Sequence, residues 1–324
     1  MLIQCAFAGR MCFQSDFVLT QWSTYGNCYT LQYPEFVSRR SGPADGIELI
    51  LYLETDEYIR GISTGKGAHV VIHEQETVPF PTEEGIAIVA GTQSIIGIRQ
   101  VEISRMGEPY GRCTDVKVFK EKYGVKYTRM VCQKTCEQNL IRQSCGCYDE
   151  LQEEVNVILK NPLNLRPCRT RKDKKCANAI ELKFGEASSA MCGCDSPCSE
   201  KKYDKTITLR QWPSPSFAIL MREIICKERE GTQCVRLRNK TSTELSQEFI
   251  KLNVFFEDLN YEHLSEEADY ELSQYISDIG GTIGLWVGLS LLGVVEVFKL
   301  LADVIIYLVG RLRKANRQNS YTIH

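Results

Sequence analysis

Asp278-Ile279-Gly280-Gly281-Thr282-Ile283-Gly284-Leu285-Trp286-Val287-Gly288-Leu289-Ser290 opens a long apolar run that closes on Arg311, Arg313, Lys314 and Arg317. Ile279 to Val295 carries no charge, and apolar character continues from Val297 to Val309 around Lys299 and Asp303. A helix crosses the hydrocarbon core of a bilayer with about 20 apolar residues, so the roughly 31 here suffice even with a tilt or a break. The sequence predicts one membrane-spanning segment, 273–310, followed by a short basic tail, 311–324, on the cytoplasmic side. Residues 1–272 then lie outside the cell.

Glu296, Lys299 and Asp303 recur at spacings of three and four, which puts them on one helical stripe. Ionisable groups at membrane depth are costly and face an ion path or a bundle interior. Snorkelling of these side chains to the cytoplasmic interface is the alternative. Gly280, Gly281, Gly284, Gly288 and Gly293 suit close helix packing. On an unbroken helix Ser290 would sit roughly 120° around from Glu296. Both face one axis only if the helix is interrupted between them, and Gly288-Leu289-Ser290 is the place expected. An interrupted backbone buried in a bundle can turn its carbonyls toward an ion.

Fifteen cysteines in 324 residues indicate an oxidising compartment and a disulfide framework. Zinc is disfavoured: Cys145-Gly146-Cys147 and Cys192-Gly193-Cys194 are not the Cys-x2-Cys of common structural sites, and there are four His. Tyr127 to Gln143 reads as a helix, on which Cys132 and Cys136 stack about 6 Å apart along the axis. Cys192 and Cys194, read as extended, point one way at about 6.6 Å. Antiparallel pairing of these two ladders gives Cys136–Cys192 and Cys132–Cys194, with Cys113–Cys198 extending them. Cys226 and Cys234 are close enough in sequence to pair with each other.

Alternating segments at Ile47–Glu54, His69–His73, Ile95–Ile103, Thr206–Arg210 and Lys251–Asp258 predict strands, and Ser216 to Arg229 a helix. Arg169 to Lys175 reads as a basic, solvated loop. The fold class expected is α+β: a disulfide-rich extracellular domain with an antiparallel β core and peripheral helices, followed by one C-terminal transmembrane helix. A net charge of −2 gives no sign of nucleic-acid binding. Neither a phosphate loop, clustered His nor a nucleophile with an evident base is found, so no enzyme and no cofactor is expected.

Asp278-Ile279-Gly280-Gly281, Gly284-Leu285-Trp286, Gly288-Leu289-Ser290 and Glu296 together resemble the second transmembrane segment of the degenerin/epithelial sodium channel family, which includes the acid-sensing channels. The resemblance implies a trimeric, sodium-selective, amiloride-sensitive channel subunit of the plasma membrane, gated by a ligand or by force and built with copies of itself or same-family subunits. Gly288, Leu289 and Ser290 would form its selectivity filter and Glu296 would lie below it. Ser277 would take the position where bulky residues hold the pore open, with Asp278 beside it at the outer mouth. Residues 113–198 resemble the family's disulfide-stitched thumb. That pattern further implies Cys145–Cys176, Cys147–Cys168 and Cys5–Cys12.

Cys28 matches a family cysteine whose partner lies upstream of Met1. The resemblance therefore implies a carboxy-terminal piece of a two-span subunit, lacking the first transmembrane helix and its His-Gly motif. Asp56 and Glu57 match the acidic pair on the palm side of the acid-sensing channels' proton pocket, with an exposed acidic turn as the other reading. Asn178 stands where that pocket has an Asp on its thumb side. Tyr110 takes the place of an aromatic that touches the first membrane helix in relatives, or is an ordinary buried tyrosine. Asn239-Lys240-Thr241 is a glycosylation sequon. The partners expected are sodium ions, same-family subunits and membrane lipid. The competing reading is of another class: a truncated, non-conducting regulatory subunit, or an extracellular binding module on a single anchor.

Overall fold

The computed structural model describes residues 2–22, 25–31, 36–59, 61, 63–159, 165–228, 232–288 and 290–320. They fall into two compact units, Met1–Glu266 and Glu267–His324. In the first, the strands are β1 (Leu2–Phe7), β2 (Arg10–Met11), β3 (Phe17–Trp22), β4 (Gly26–Leu31), β5 (Ile47–Tyr52), β6 (Gly67–Val70), β7 (Ile86–Val89), β8 (Thr92–Ser104), β9 (Cys147–Tyr148), β10 (Arg166–Pro167), β11 (Ser199–Gln211), β12 (Phe249–Phe256) and β13 (Glu262–Ser265). Its helices are α1 (Pro81–Glu84), α2 (Val116–Tyr123), α3 (Arg129–Cys145), α4 (Glu153–Leu159), α5 (Arg171–Cys192), α6 (Pro215–Glu228), α7 (Thr232–Arg238) and α8 (Ser242–Ser246). The second unit is α9 (Leu272–Val287) and α10 (Leu291–Ser320).

A seven-stranded sheet runs in the order β11-β8-β12-β5-β1-β2, with β13 also beside β8. The period-2 alternation of β5 and β12 builds its two faces. Ile50, Tyr52 and Phe249 point to one side, where Ala218, Met221 and Ile225 of α6, Leu237 of α7 and Leu245 of α8 cover them. Ile250, Leu252, Ile96 and Ile98 point to the other, against Ile88 of β7. Fully burying each such side chain contributes about 1.5–3 kcal/mol relative to leaving it exposed. Tyr52 and Phe249 stand opposite each other in the ladder with ring centroids 5.8 Å apart. Gly46 is required beside this ladder, because a Cβ there would lie 2.4 Å from the Val254 carbonyl oxygen.

The sheet is mixed, not wholly antiparallel: β12 and β13 both run parallel to β8. A parallel neighbour needs a long crossover, and here the whole helical lobe α2–α5 and then β11 to α8 intervene between β8 and β12. In that lobe α3 starts on a Thr128 cap, whose hydroxyl accepts from Val131 N–H, and ends on Gly146 at φ 64°. Bridges Cys132–Cys194, Cys136–Cys192 and Cys145–Cys176 fasten α3 to α5 and the turn after it; Cys147–Cys168 and Cys113–Cys198 close the rest.

Two local readings are corrected here. Cys192 is the last residue of the 22-residue helix α5 rather than part of an extended ladder, and Gly193 at φ 56° makes the turn to Cys194. The basic run belongs largely to the first turns of that same helix. Its only carboxylate, Asp173, forms a capping box with Thr170 and binds Arg166.

The C-terminal segment is not one continuous helix: it breaks into α9 and α10 at Gly288–Ser290, the place where an interruption is expected. Among the described residues no helix is long and apolar enough to cross a membrane. The reason is the break itself: α9 has 16 residues, and the rest of the charge-free run sits in α10, whose 30 residues also hold Glu296, Lys299, Asp303 and the basic tail.

Candidate functional sites

At the break, α9 ends on Gly288, whose left-handed φ of 65° lets its N–H bond the Gly284 carbonyl at 3.1 Å. An L side chain is strained in that conformation, so glycine is the residue for it. Two residues on, Ser290 restarts the helix. Its hydroxyl accepts from Gly293 N–H at 3.2 Å and its carbonyl from Val294 N–H at 3.1 Å, an N-cap. The Gly-x-Ser triplet is thus a C-cap and an N-cap with one residue between, and that residue, Leu289, lies outside the described residues. Glu296 is exposed on the second turn of α10. Ser277 and Asp278 are exposed on α9, and Asp278 accepts a hydrogen bond from the Tyr270 hydroxyl, which pushes the phenol up from its ordinary range. Sequence reasoning missed Tyr270; an aromatic hydroxyl two turns before an acid was its only signal.

The acidic turn brings its carboxylates against cations of the segment after α6. Glu54 adopts a left-handed φ of 54° and turns the chain into a single 3-10 turn, Thr55–Glu57. Asp56 then meets Lys240 at 2.9 Å and Glu57 meets Arg236 at 2.5 Å, so each carboxylate faces a cation. Lys240 also pairs at 2.5 Å with Glu248, which is 2% exposed and accepts from both the backbone N–H and the hydroxyl of Thr55. Burial pulls the Lys240 ammonium down, but its bonds to Glu248 and Asp56 outweigh this and hold it above its ordinary value. Burial also pushes the adjacent Tyr52 phenol up, and the charges of Glu248, Glu54 and Asp56 push it further. Bridge Cys226–Cys234 ties α6 to α7, which carries Arg236 and precedes Lys240.

Tyr110, 54% exposed in a turn, is not a buried tyrosine. Asn178 lies exposed on α5, Asn239 is exposed just after α7, and the remaining bridge is Cys5–Cys12. Cys28 is the free cysteine among the described residues, and burial pushes its thiol up, helped by Glu154 and Glu153.

Carboxylates whose pKa is raised lie in the helical lobe, where no local pattern announced them. Glu137 of α3 is 8% exposed; burial, then Glu181 of α5 and Asp149, raise its pKa against the opposing pull of Lys134. Glu154 of α4 is raised by burial and by Glu83 and Glu153, and Glu181 by burial and Asp149. Lys134 is shared, pairing with Glu83 at 2.9 Å. A carboxyl whose folded pKa lies above its unfolded value binds more protons folded, so it favours folding more as pH falls through that raised pKa. Asp173 is the opposite case: Arg166 and Thr170 hold its pKa far below the ordinary range, and its stabilisation is lost only as pH drops through the acid range below 3.8. The lobe is therefore expected to melt higher at mildly acid than at neutral pH, and Glu137→Gln should raise the neutral midpoint and flatten that dependence. A variant that melts along the wild-type pH profile would exclude Glu137 as a source.

The sequence model of the family described as "Amiloride-sensitive sodium channel" matches residues 1–300. Among similar proteins, the degenerin-like protein unc-105 of Caenorhabditis elegans is 28% identical over 93% of this chain and 34% of its own length. The human epithelial sodium channel subunit beta is 26% identical over 99% and 51%, and the acid-sensing ion channel 1C of Danio rerio is 28% identical over 99% and 59%. The chain thus spans between about a third and three fifths of the length of these relatives. With the family model matching nearly the whole chain, the conclusion is direct: the chain belongs to the amiloride-sensitive sodium channel family.

Proposed function

We propose that this chain supplies the extracellular domain (1–272) and the pore-lining segment (273–310) of a sodium-selective, amiloride-sensitive channel subunit of the plasma membrane. It assembles as a trimer with copies of itself or with relatives, and ligand binding or force on the extracellular domain biases a two-state pore. Asn239 carries an N-glycan, and 311–324 is the cytoplasmic tail. The observation that carries this reading is the interruption at Gly288 and Ser290 in the middle of the apolar run. A simple anchor has no use for a capped break at membrane depth, whereas a pore uses one to turn backbone groups toward an ion. In series, α9 and the apolar part of α10 supply the length that neither supplies alone. Sodium passes Ser277 and Asp278, crosses the belt at Gly288, Leu289 and Ser290, and leaves past Glu296.

Replacing Ser290 with a bulkier residue in the complete subunit is expected to move the sodium-to-potassium permeability ratio toward unity or to abolish current. Ser290→Ala separates the two duties of this side chain, since it removes the cap, worth about 1 kcal/mol, without narrowing the pore. Bulky variants that keep the wild-type ratio would remove the assignment.

A further inference from the structure

The basic run that opens α5 is held rigidly and turned outward. Between Arg166 and Lys175 there are six cationic side chains and one carboxylate, in a chain whose overall charge is −2. That carboxylate, Asp173, is buried and committed inward: it caps the helix with Thr170 and takes two hydrogen bonds from Arg166, at 2.5 and 2.9 Å. Arg169 pairs with Glu150 at 3.0 Å. Arg171, Lys172, Lys174 and Lys175 are exposed and have no side-chain partner among the described residues. Asp173, Ala177 and Phe184 mark the buried face of α5, and at 100° per residue Arg171 and Lys175 project from the opposite face with Lys172 and Lys174 flanking them on either side.

This arrangement costs stability. Cations in a helix's first turn oppose its macrodipole and repel one another. Two bridges pin the run in place nonetheless, Cys147–Cys168 before it and Cys145–Cys176 at its end, and the capping box closes the turn between them. A pre-ordered row of unpaired cations loses little entropy when a polyanion binds. The run exposes none of the large apolar anchors on which protein interfaces depend.

We propose that the outer face of α5 around Arg171, Lys172, Lys174 and Lys175 is a docking surface for a sulfated polysaccharide chain of the extracellular matrix or cell coat. Sulfate esters stay ionised at all physiological pH, repeat along a flexible strand, and accept from guanidinium and ammonium donors without needing an apolar pocket. The choice of an extracellular polyanion rests on the orientation given under Proposed function; the surface itself does not.

The test uses the full chain in detergent with its disulfides intact, on immobilised heparin, eluted with sodium chloride. Wild type is expected to be retained at about 0.15 M salt, and to bind desulfated heparin far less. Replacing all four residues with Gln, a good helix former, should weaken binding by at least about tenfold, as expected when several ionic contacts vanish together. The charge-keeping set Arg171→Lys, Lys172→Arg, Lys174→Arg and Lys175→Arg should restore retention and controls for folding. Equal retention of the Gln variant, equal binding to desulfated heparin, or equal competition by polyglutamate or RNA overturns the proposal. Labelling of Lys172, Lys174 and Lys175 by an impermeant amine reagent on intact cells reports the orientation separately. No labelling alongside sulfate-dependent binding would sink the orientation and leave the surface standing.

Discussion

Glu248→Ala is expected to destabilise the folded subunit by about 3–5 kcal/mol, the range for removing one partner of a buried ion pair. Glu248 is 2% exposed and is the acceptor for three donors: the Lys240 ammonium, the Thr55 N–H and the Thr55 hydroxyl. Alanine leaves a largely buried ammonium with only the partly exposed Asp56 beside it, and orphans a backbone donor as well. Glu248→Gln keeps acceptor capacity for Thr55 and loses only the charge, so it should fall between. Asp56→Asn should cost less than about 1 kcal/mol, because that pair is open to water and screened. The ordering Ala, then Gln, then Asn is checked by thermal melting of the purified subunit and by its abundance at the cell surface. A Glu248→Ala subunit that melts like wild type would show that the turn at Thr55–Glu57 is held by something other than this cluster. Pairing Glu248→Leu with Lys240→Met should recover only the part of the loss due to the unpaired ammonium, since it removes both desolvated charges but leaves the Thr55 N–H and hydroxyl without their acceptor.

How far such features could be read in advance depends on whether they are local. The strands expected at Ile47–Glu54, Ile95–Ile103 and Lys251–Asp258 correspond to Ile47–Tyr52, Thr92–Ser104 and Phe249–Phe256; alternation sorts Tyr52 from Leu51, but the first two residues of the last strand, Phe249 and Ile250, lie outside the segment it marks. Alternation marks β11 only from Thr206 to Arg210, yet the strand begins at Ser199. Its first half is charged because it is an edge strand whose side chains pair across the ladder, Lys201 with Glu102 and Arg105 with Glu200. The hairpin β3–β4 escaped notice because Val18 and Leu19, neighbours on opposite faces, are both about half exposed and leave no alternation. Strand direction was equally hidden: nothing in Phe249–Phe256 says that it lies parallel to β8. The interruption at Gly288 and Ser290 was legible because each end of a helix break asks for a residue type, a positive-φ glycine and a capping hydroxyl. The carboxylates with raised pKa around Glu137 were not, since they meet only once α3, α4 and α5 are stitched together; the basic run was legible as solvated but not as the start of a helix.

That stitching leads to the largest effect expected of this molecule. Cys132–Cys194 and Cys136–Cys192 are adjacent rungs between α3 and the end of α5, and either one, once formed, leaves only a handful of residues of loop for the other to close. In the chain-entropy model closing so short a loop is worth about 2 kcal/mol, so replacing either pair with serine should cost about that much. With both rungs gone, the loop left between Cys113–Cys198 and Cys145–Cys176 is several times longer, and the joint cost rises to about 6 kcal/mol. The double variant should therefore lose more than the sum of the singles, a coupling of about 1–2 kcal/mol that a double-mutant cycle measures directly. Strict additivity would mean that the rungs act through local packing of each cysteine rather than through a shared restraint on the unfolded chain. The coupling also has a structural readout. Hydrogen exchange should accelerate in the C-terminal half of α5 and the N-terminal half of α3 in the double variant, while the end fastened by Cys145–Cys176, which carries the exposed Arg171, Lys172, Lys174 and Lys175, stays protected.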